Sequence, residues 1–192
     1  MRTPATLTAL VAIAALARAD MTMLPEPVRN ALSSIDRAAS ATDLDTALGG
    51  TQQQTAMQLA AIALDPNVDV GVALRSIRAL SQYPQSAIGS TLAHDTLASI
   101  INTYLTSARA NDVLVLRAAI EALGLLRVAT DVDTLVKGLG HASRDVRATA
   151  AHALRDLGNP SAIPQLRARL GQELVPQVQL AITGALTALG GT

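Results

Sequence analysis

The sequence predicts an all-α protein, an α-α superhelix of about four antiparallel helical pairs stacked in a row. Three observations carry that prediction. The first is the stretch 145–166, DVRATAAHALRDLGNPSAIPQL. Val146, Ala150, Ala153, Leu154 and Leu157 fall on one face of a helix. Gly158 stands where a left-handed C-terminal residue is wanted, Asn159 can cap the next helix, and Pro160 suits its first position. Ile163, Leu166 and Leu170 carry the following stripe. The second observation is recurrence. An Ala-Leu pair appears at Ala79-Leu80, Ala122-Leu123, Ala153-Leu154 and Ala185-Leu186. Each is preceded at the same distance by Val72, Val115, Val146 and Val178. The third is composition. Hydrophobic residues make up 49% of the chain but aromatics only 1%, with no Phe and no Trp. A core of Ala, Leu, Val and Ile suits closely spaced helices and argues against a sheet.

Taken in order, residues 1–19 have the three parts of a secretory signal: Arg2, an uncharged apolar run over 5–17, and Ala17-Arg18-Ala19 as a small-x-small cleavage site. Cleavage would leave Asp20 first and an exported protein, periplasmic or secreted. An uncleaved first helix on a cytoplasmic protein is the alternative. The run is shorter than the ~20 residues needed to span a bilayer. Residues 20–50 form a linker and helix region, with Val28, Leu32 and Ile35 on one face over 28–38 and a short helix between turns over 41–50. The repeat domain is 51–192. A helix over 51–64 ends at Asp65-Pro66-Asn67, and Asp69 caps the next, which runs to Leu80. Residues 86–89 read as a loop. Helices follow over about 91–105, 113–126 and 131–140, then the central stretch, then 177–189.

Function classes can be excluded on composition. Net charge is zero and Lys137 is the only lysine, so the basic footprint of a nucleic-acid binder is missing. There is no Cys, hence no thiolate metal site or cysteine nucleophile. The bias of Arg over Lys with abundant Ala suggests a GC-rich bacterial genome.

VRATAAHALRDLG followed by NPSAIPQLRARL resembles a HEAT repeat, of the phycobilisome-lyase-like subtype. The resemblance is close over 145–189 and looser upstream. It implies an armadillo-like solenoid in which the second helix of each pair lines a concave binding surface. It also implies a turn Asp and Arg bonded between neighbouring repeats. Only Asp145 and Arg147 fit that pattern, since Ala73, Leu116 and Gln179 stand where Arg147 does. A continuous ladder is therefore not expected, and both residues are read as local to their repeat.

The face opposite the apolar stripe of the central helix holds Ala148, Ala151, His152 and Arg155. In register with it lie Leu74, Ile77, Arg78 and Ser81, then Arg117, Ile120, Glu121 and Gly124, then Leu180, Thr183, Gly184 and Thr187. This predicts a shallow floor with raised partner-binding side chains at Arg78, Arg117, Glu121, His152 and Arg155. Arg is favoured at recognition surfaces for its forked donors. The plainer reading is a solvated helix face. His94, beside Asp95, reads as a solvated cap-region residue, and His141 lies in a turn. No His-Glu pair, HxxxH or HxxE spacing occurs, so no metal, cofactor or catalytic residue is assigned. Ser143 between His141 and Asp145 reads as a helix cap rather than a triad member.

The last helix carries no charge, and Val178, Leu180, Ile182, Leu186 and Leu189 spread around it. A solenoid end wants a polar outer face, so self-association through this helix is one expectation and modest exposure the other. The leading functional expectation is a non-catalytic scaffold that binds a protein or peptide partner on its concave face. The alternatives are an accessory or lyase-like protein assisting an enzyme, and a self-associating structural module.

Overall fold

The computed structural model describes residues 26–33 and 39–191. Eleven helices are found there: α1 Glu26–Ser33, α2 Ala41–Leu48, α3 Gln52–Leu64, α4 Val70–Leu80, α5 Gln85–Ile88, α6 Leu92–Tyr104, α7 Ala110–Leu126, α8 Val132–Gly138, α9 Arg144–Leu157, α10 Ile163–Leu170 and α11 Pro176–Ala188. Short 3-10 turns, Ala129–Asp131 and Pro160–Ala162, lead into α8 and α10. The described residues contain no strand, and none of their helices is long and apolar enough to cross a membrane. The expected leader over 1–19 lies outside the described residues, as do 34–38 of the helix expected over 28–38.

Local chemistry sets the helix ends. Ser40 with Asp43 and Thr51 with Gln54 form capping boxes at the starts of α2 and α3. The Asp69 carboxylate accepts from the Gly71 and Val72 amides, and Asn159 accepts from the Ser161 amide. Gly158 ends α9 at φ 76°, as the sequence predicts. In the same register of the preceding repeat Arg127 ends α7 at φ 54°, a left-handed conformation without glycine. Ser143 does hold the cap position of α9, but its side chain makes no cap bond. The expected loop at 86–89 is instead one turn of helix, α5, which places Ile88 in the core.

Four antiparallel pairs follow one another: α3/α4, α6/α7, α8/α9 and α10/α11. The second helices α4, α7, α9 and α11 pack on each other in succession, and α1 extends that layer beyond α4. Contacts between successive second helices are more extensive than between successive first helices, so the stack curves toward the second-helix layer. The close approach depends on small residues. A Cβ on Gly124 of α7 would stand 2.7 Å from the Ala153 carbonyl oxygen and 2.8 Å from its Cα. One on Gly138 of α8 would meet the Ala150 Cβ at 2.9 Å.

One continuous core runs through the stack, from Leu32 and Leu44 to Val178, Ile182 and Leu186. Tyr83 is fully buried, and its hydroxyl donates to the Ala41 carbonyl and reaches Asp45 Oδ1 at 3.1 Å. Burial, and then Asp45, push its pKa above the ordinary tyrosine value. These bonds tie α2 to the end of α4.

A buried ion pair joins the last two repeats. The Arg147 guanidinium of α9 forks onto Glu173, in the turn before α11, with Nε–Oε2 at 2.7 Å and Nη2–Oε1 at 2.9 Å. Its Nη1 donates to the His141 and Ala142 carbonyls. Arg147 is thus no local feature of its repeat: it reaches forward to the next one, through a Glu rather than an Asp. Among the described residues the Asp145 carboxylate meets Arg144 alone, at 3.8 Å.

Candidate partner-binding face

The inner second helices α7 and α9 each touch their own first helix and the second helices on either side, which leaves a narrow strip open. Burial along the repeat register identifies that strip. Ile77, Ile120 and Ala151 are buried, whereas their counterpart in the last helix, Thr183, is exposed. This row faces the next repeat, so it is not the shallow groove floor that the sequence reading made it. Ala148 and Gly124 are likewise buried. The row Arg78, Glu121, His152 and Gly184 is exposed in all four repeats. Arg155 is exposed beside it and Arg117 is half-buried.

Four of the five predicted contact residues engage neighbours across or along this strip. Arg78 Nε lies 3.2 Å from Glu121 Oε2, bridging α4 and α7, with both side chains about half exposed. Arg117 Nε donates to Thr149 Oγ1 at 3.3 Å, bridging α7 and α9. Arg155 pairs with its neighbour Asp156 at 2.9 Å. His152 is exposed. Exposed pairs of this kind contribute only ~0.2–1 kcal/mol, so they can be exchanged for bonds to a partner at little cost.

Sequence reasoning missed part of this face. Between α1, α4 and α7 lies an open groove of about 350 Å³. Leu32, Leu44, Ala79 and Ala122 form its apolar lining, with Arg75 and Leu125 also at the groove. Arg75 had a legible signal: its register mates are Ala118, Thr149 and Ala181, small residues that a preceding second helix covers. Among the described residues the short α1 stands beside α4 in place of a preceding second helix, and there a long charged side chain fits.

The apolar end face suspected in α11 is mostly turned inward. Val178, Ile182 and Leu186 are buried, and the outward positions are Gln177, Thr183, Gly184, Thr187 and Ala188. Leu180 is the exception, at 75% exposure.

Away from the strip, His94 is not a solvated cap residue. Its Nδ1 lies 3.0 Å from Asp95 Oδ1 and its Nε2 2.8 Å from the buried Asp131 Oδ1, which ties α6 to the turn before α8. A neutral ring can donate through only one nitrogen, so two carboxylates favour the imidazolium. Burial opposes the charge, but the bonds to Asp95 and Asp131 outweigh it and the pKa is raised. No group of three His, Cys, Asp or Glu that could hold a metal exists among the described residues.

The comparisons with known proteins agree with this geometry. No curated protein matches the chain. The family model for HEAT repeats matches residues 101–187, which run from the end of α6 through α11. The fold is therefore an all-α HEAT-like solenoid, and the part similar to HEAT repeats takes in α7 and the last two helical pairs.

Proposed function

We propose that the chain is a non-catalytic scaffold that captures a protein or peptide partner on the strip formed by α4, α7, α9 and α11. HEAT repeats generally serve as protein-interaction scaffolds. The observation that carries the reading here is the row Arg78, Glu121, His152, Gly184, which is exposed in every repeat while Ile77, Ile120 and Ala151 in the row beside it are buried. A row repeated at fixed spacing along a rigid stack presents a largely preformed surface, so ordering costs on binding are small. Arg78, Arg117 and Arg155 supply forked donors for a partner's carboxylates or carbonyls. The test is capture from the native host by the Arg117→Glu, Arg155→Glu double variant. Both side chains sit outside the core, so folding is retained and the partner is lost. Undiminished capture by the folded double variant overturns the reading.

Two finer assignments belong to the same proposal. Export rests on the leader-like residues 1–19 and is tested by whether the mature chain starts at Asp20. The lyase-like subtype rests on the VRATAAHALRDLG and NPSAIPQLRARL segments alone, and is tested by whether the purified chain retains a bilin.

A further inference from the structure

We infer that the groove between α1, α4 and α7 anchors an acidic peptide segment of the partner. One apolar side chain enters the groove and a neighbouring carboxylate binds Arg75. The inference rests on the peptide-binding reading above and adds where the anchor sits and what chemistry it selects.

Shape comes first. Leu32, Leu44, Ala79 and Ala122 supply the apolar part of the groove's lining, and the mutually paired Arg78 and Glu121 line it too. At about 350 Å³ it lies within the size range of ligand sites, with room for a large aliphatic or aromatic side chain and part of the adjoining backbone. Leu125, about half exposed, extends the apolar surface outward from α7.

Charge then selects the occupant. On this face Glu121 is engaged by Arg78 and Asp156 by Arg155. Arg75 is exposed and has no hydrogen-bond or ion-pair partner among the described residues, and Arg117 meets only the Thr149 hydroxyl. Among the described residues two guanidinium groups on this face are therefore left without a carboxylate. An acidic segment is complementary to that surplus, and a basic one is repelled. A nucleic acid would supply anions too, but the strip offers its bases no aromatic platform: Tyr83 is buried, and Tyr104 lies on α6 in the other layer.

The probe is a set of short labelled peptides, each with a central Leu, Ile, Phe or Trp flanked by Asp and Glu, and a matched set flanked by Lys. Binding to the full chain is read by fluorescence anisotropy, with Arg75→Glu, Leu125→Glu and the Arg117→Glu, Arg155→Glu variant alongside, all verified as folded by circular dichroism. The expected result is preference for the acidic set, weakened about tenfold or more by Arg75→Glu, the loss of one charge-assisted bond. Leu125→Glu weakens it as well, and raised salt loosens it. Acidic-peptide binding that is indifferent to Arg75→Glu but abolished by the double variant overturns the groove assignment while leaving the wider face as the binding surface. Equal binding of the Lys set, no binding by either set, or a single-stranded oligonucleotide bound in preference to both, overturns the inference.

Discussion

Replacing Glu173 by Ala should release the C-terminal repeat from the rest of the stack. The carboxylate accepts from Arg147 Nε and Nη2 at 2.7 and 2.9 Å, from Arg169 Nη2 at 2.6 Å, and from the Leu174 and Val175 amides at 3.1 and 3.0 Å. Its side chain is 1% exposed and that of Arg147 10%. Glu173→Ala leaves a buried guanidinium with only two carbonyl partners. Removing one member of a buried pair costs about 3–5 kcal/mol, and the low end applies here because the His141 and Ala142 carbonyls still accept from the guanidinium. About 3 kcal/mol corresponds to a Tm lower by roughly 6–12 °C for a chain of this length. In a stacked array the loss should be local, so hydrogen exchange should quicken in α10 and α11 well before α3 and α4. The pair also sets an acid limb. Bonds from Arg147, working against desolvation and joined by Arg169 and the Val175 amide, hold the Glu173 carboxyl well below its ordinary 4.5. A lowered folded pKa contributes stability that is complete above that ordinary value and is lost as pH falls below it toward the folded pKa. Glu173→Gln should flatten that limb. A Glu173→Ala variant within about 0.5 kcal/mol of the parent in urea unfolding, or exchange that quickens evenly along the chain, refutes the reasoning.

Further outcomes follow from single contacts. Gly124→Ala should destabilise by about 1–3 kcal/mol in urea unfolding despite alanine's better helix propensity, because the atoms facing the new Cβ are Ala153 backbone. Arg127→Gly should stabilise by about 0.5–1 kcal/mol, since position 127 is left-handed like its register mates Gly158 and Gly190. The raised pKa of His94 contributes stability that is complete below about 6.5 and lost as pH rises through the folded value. Thermal melts from pH 6 upward should therefore decline less steeply in His94→Gln than in the parent.

The helices were legible because their determinants are local. The stripe through Val146 and Leu157, the Asp69 cap and the Gly158 stop all lie within one or two turns of what they govern. The features missed are those joining distant residues. Arg147 and Glu173 belong to different repeats, and His94 meets Asp131 across a whole intervening helix. Neither pairing leaves a periodic trace. Ile77, Ile120 and Ala151 were misplaced for a related reason. A helical wheel has one side opposite its apolar stripe, but a second helix inside a stack also covers its flanks, so much of that side is buried. What remained open was the row of Arg78, Glu121, His152 and Gly184. The groove beside Arg75 was hidden because it forms where α1, which has no place in the repeat register, packs on α4.

The most direct test of the binding surface is site-specific photocrosslinking in the native host. A photoreactive residue in place of His152, on the open strip, is compared with one in place of Asn102, exposed on α6 in the opposite layer. A discrete partner crosslinked from position 152 and not from 102 is the expected result. Crosslinking of that partner from 102 and not from 152 would contradict it, and would move the binding surface to the other side of the stack.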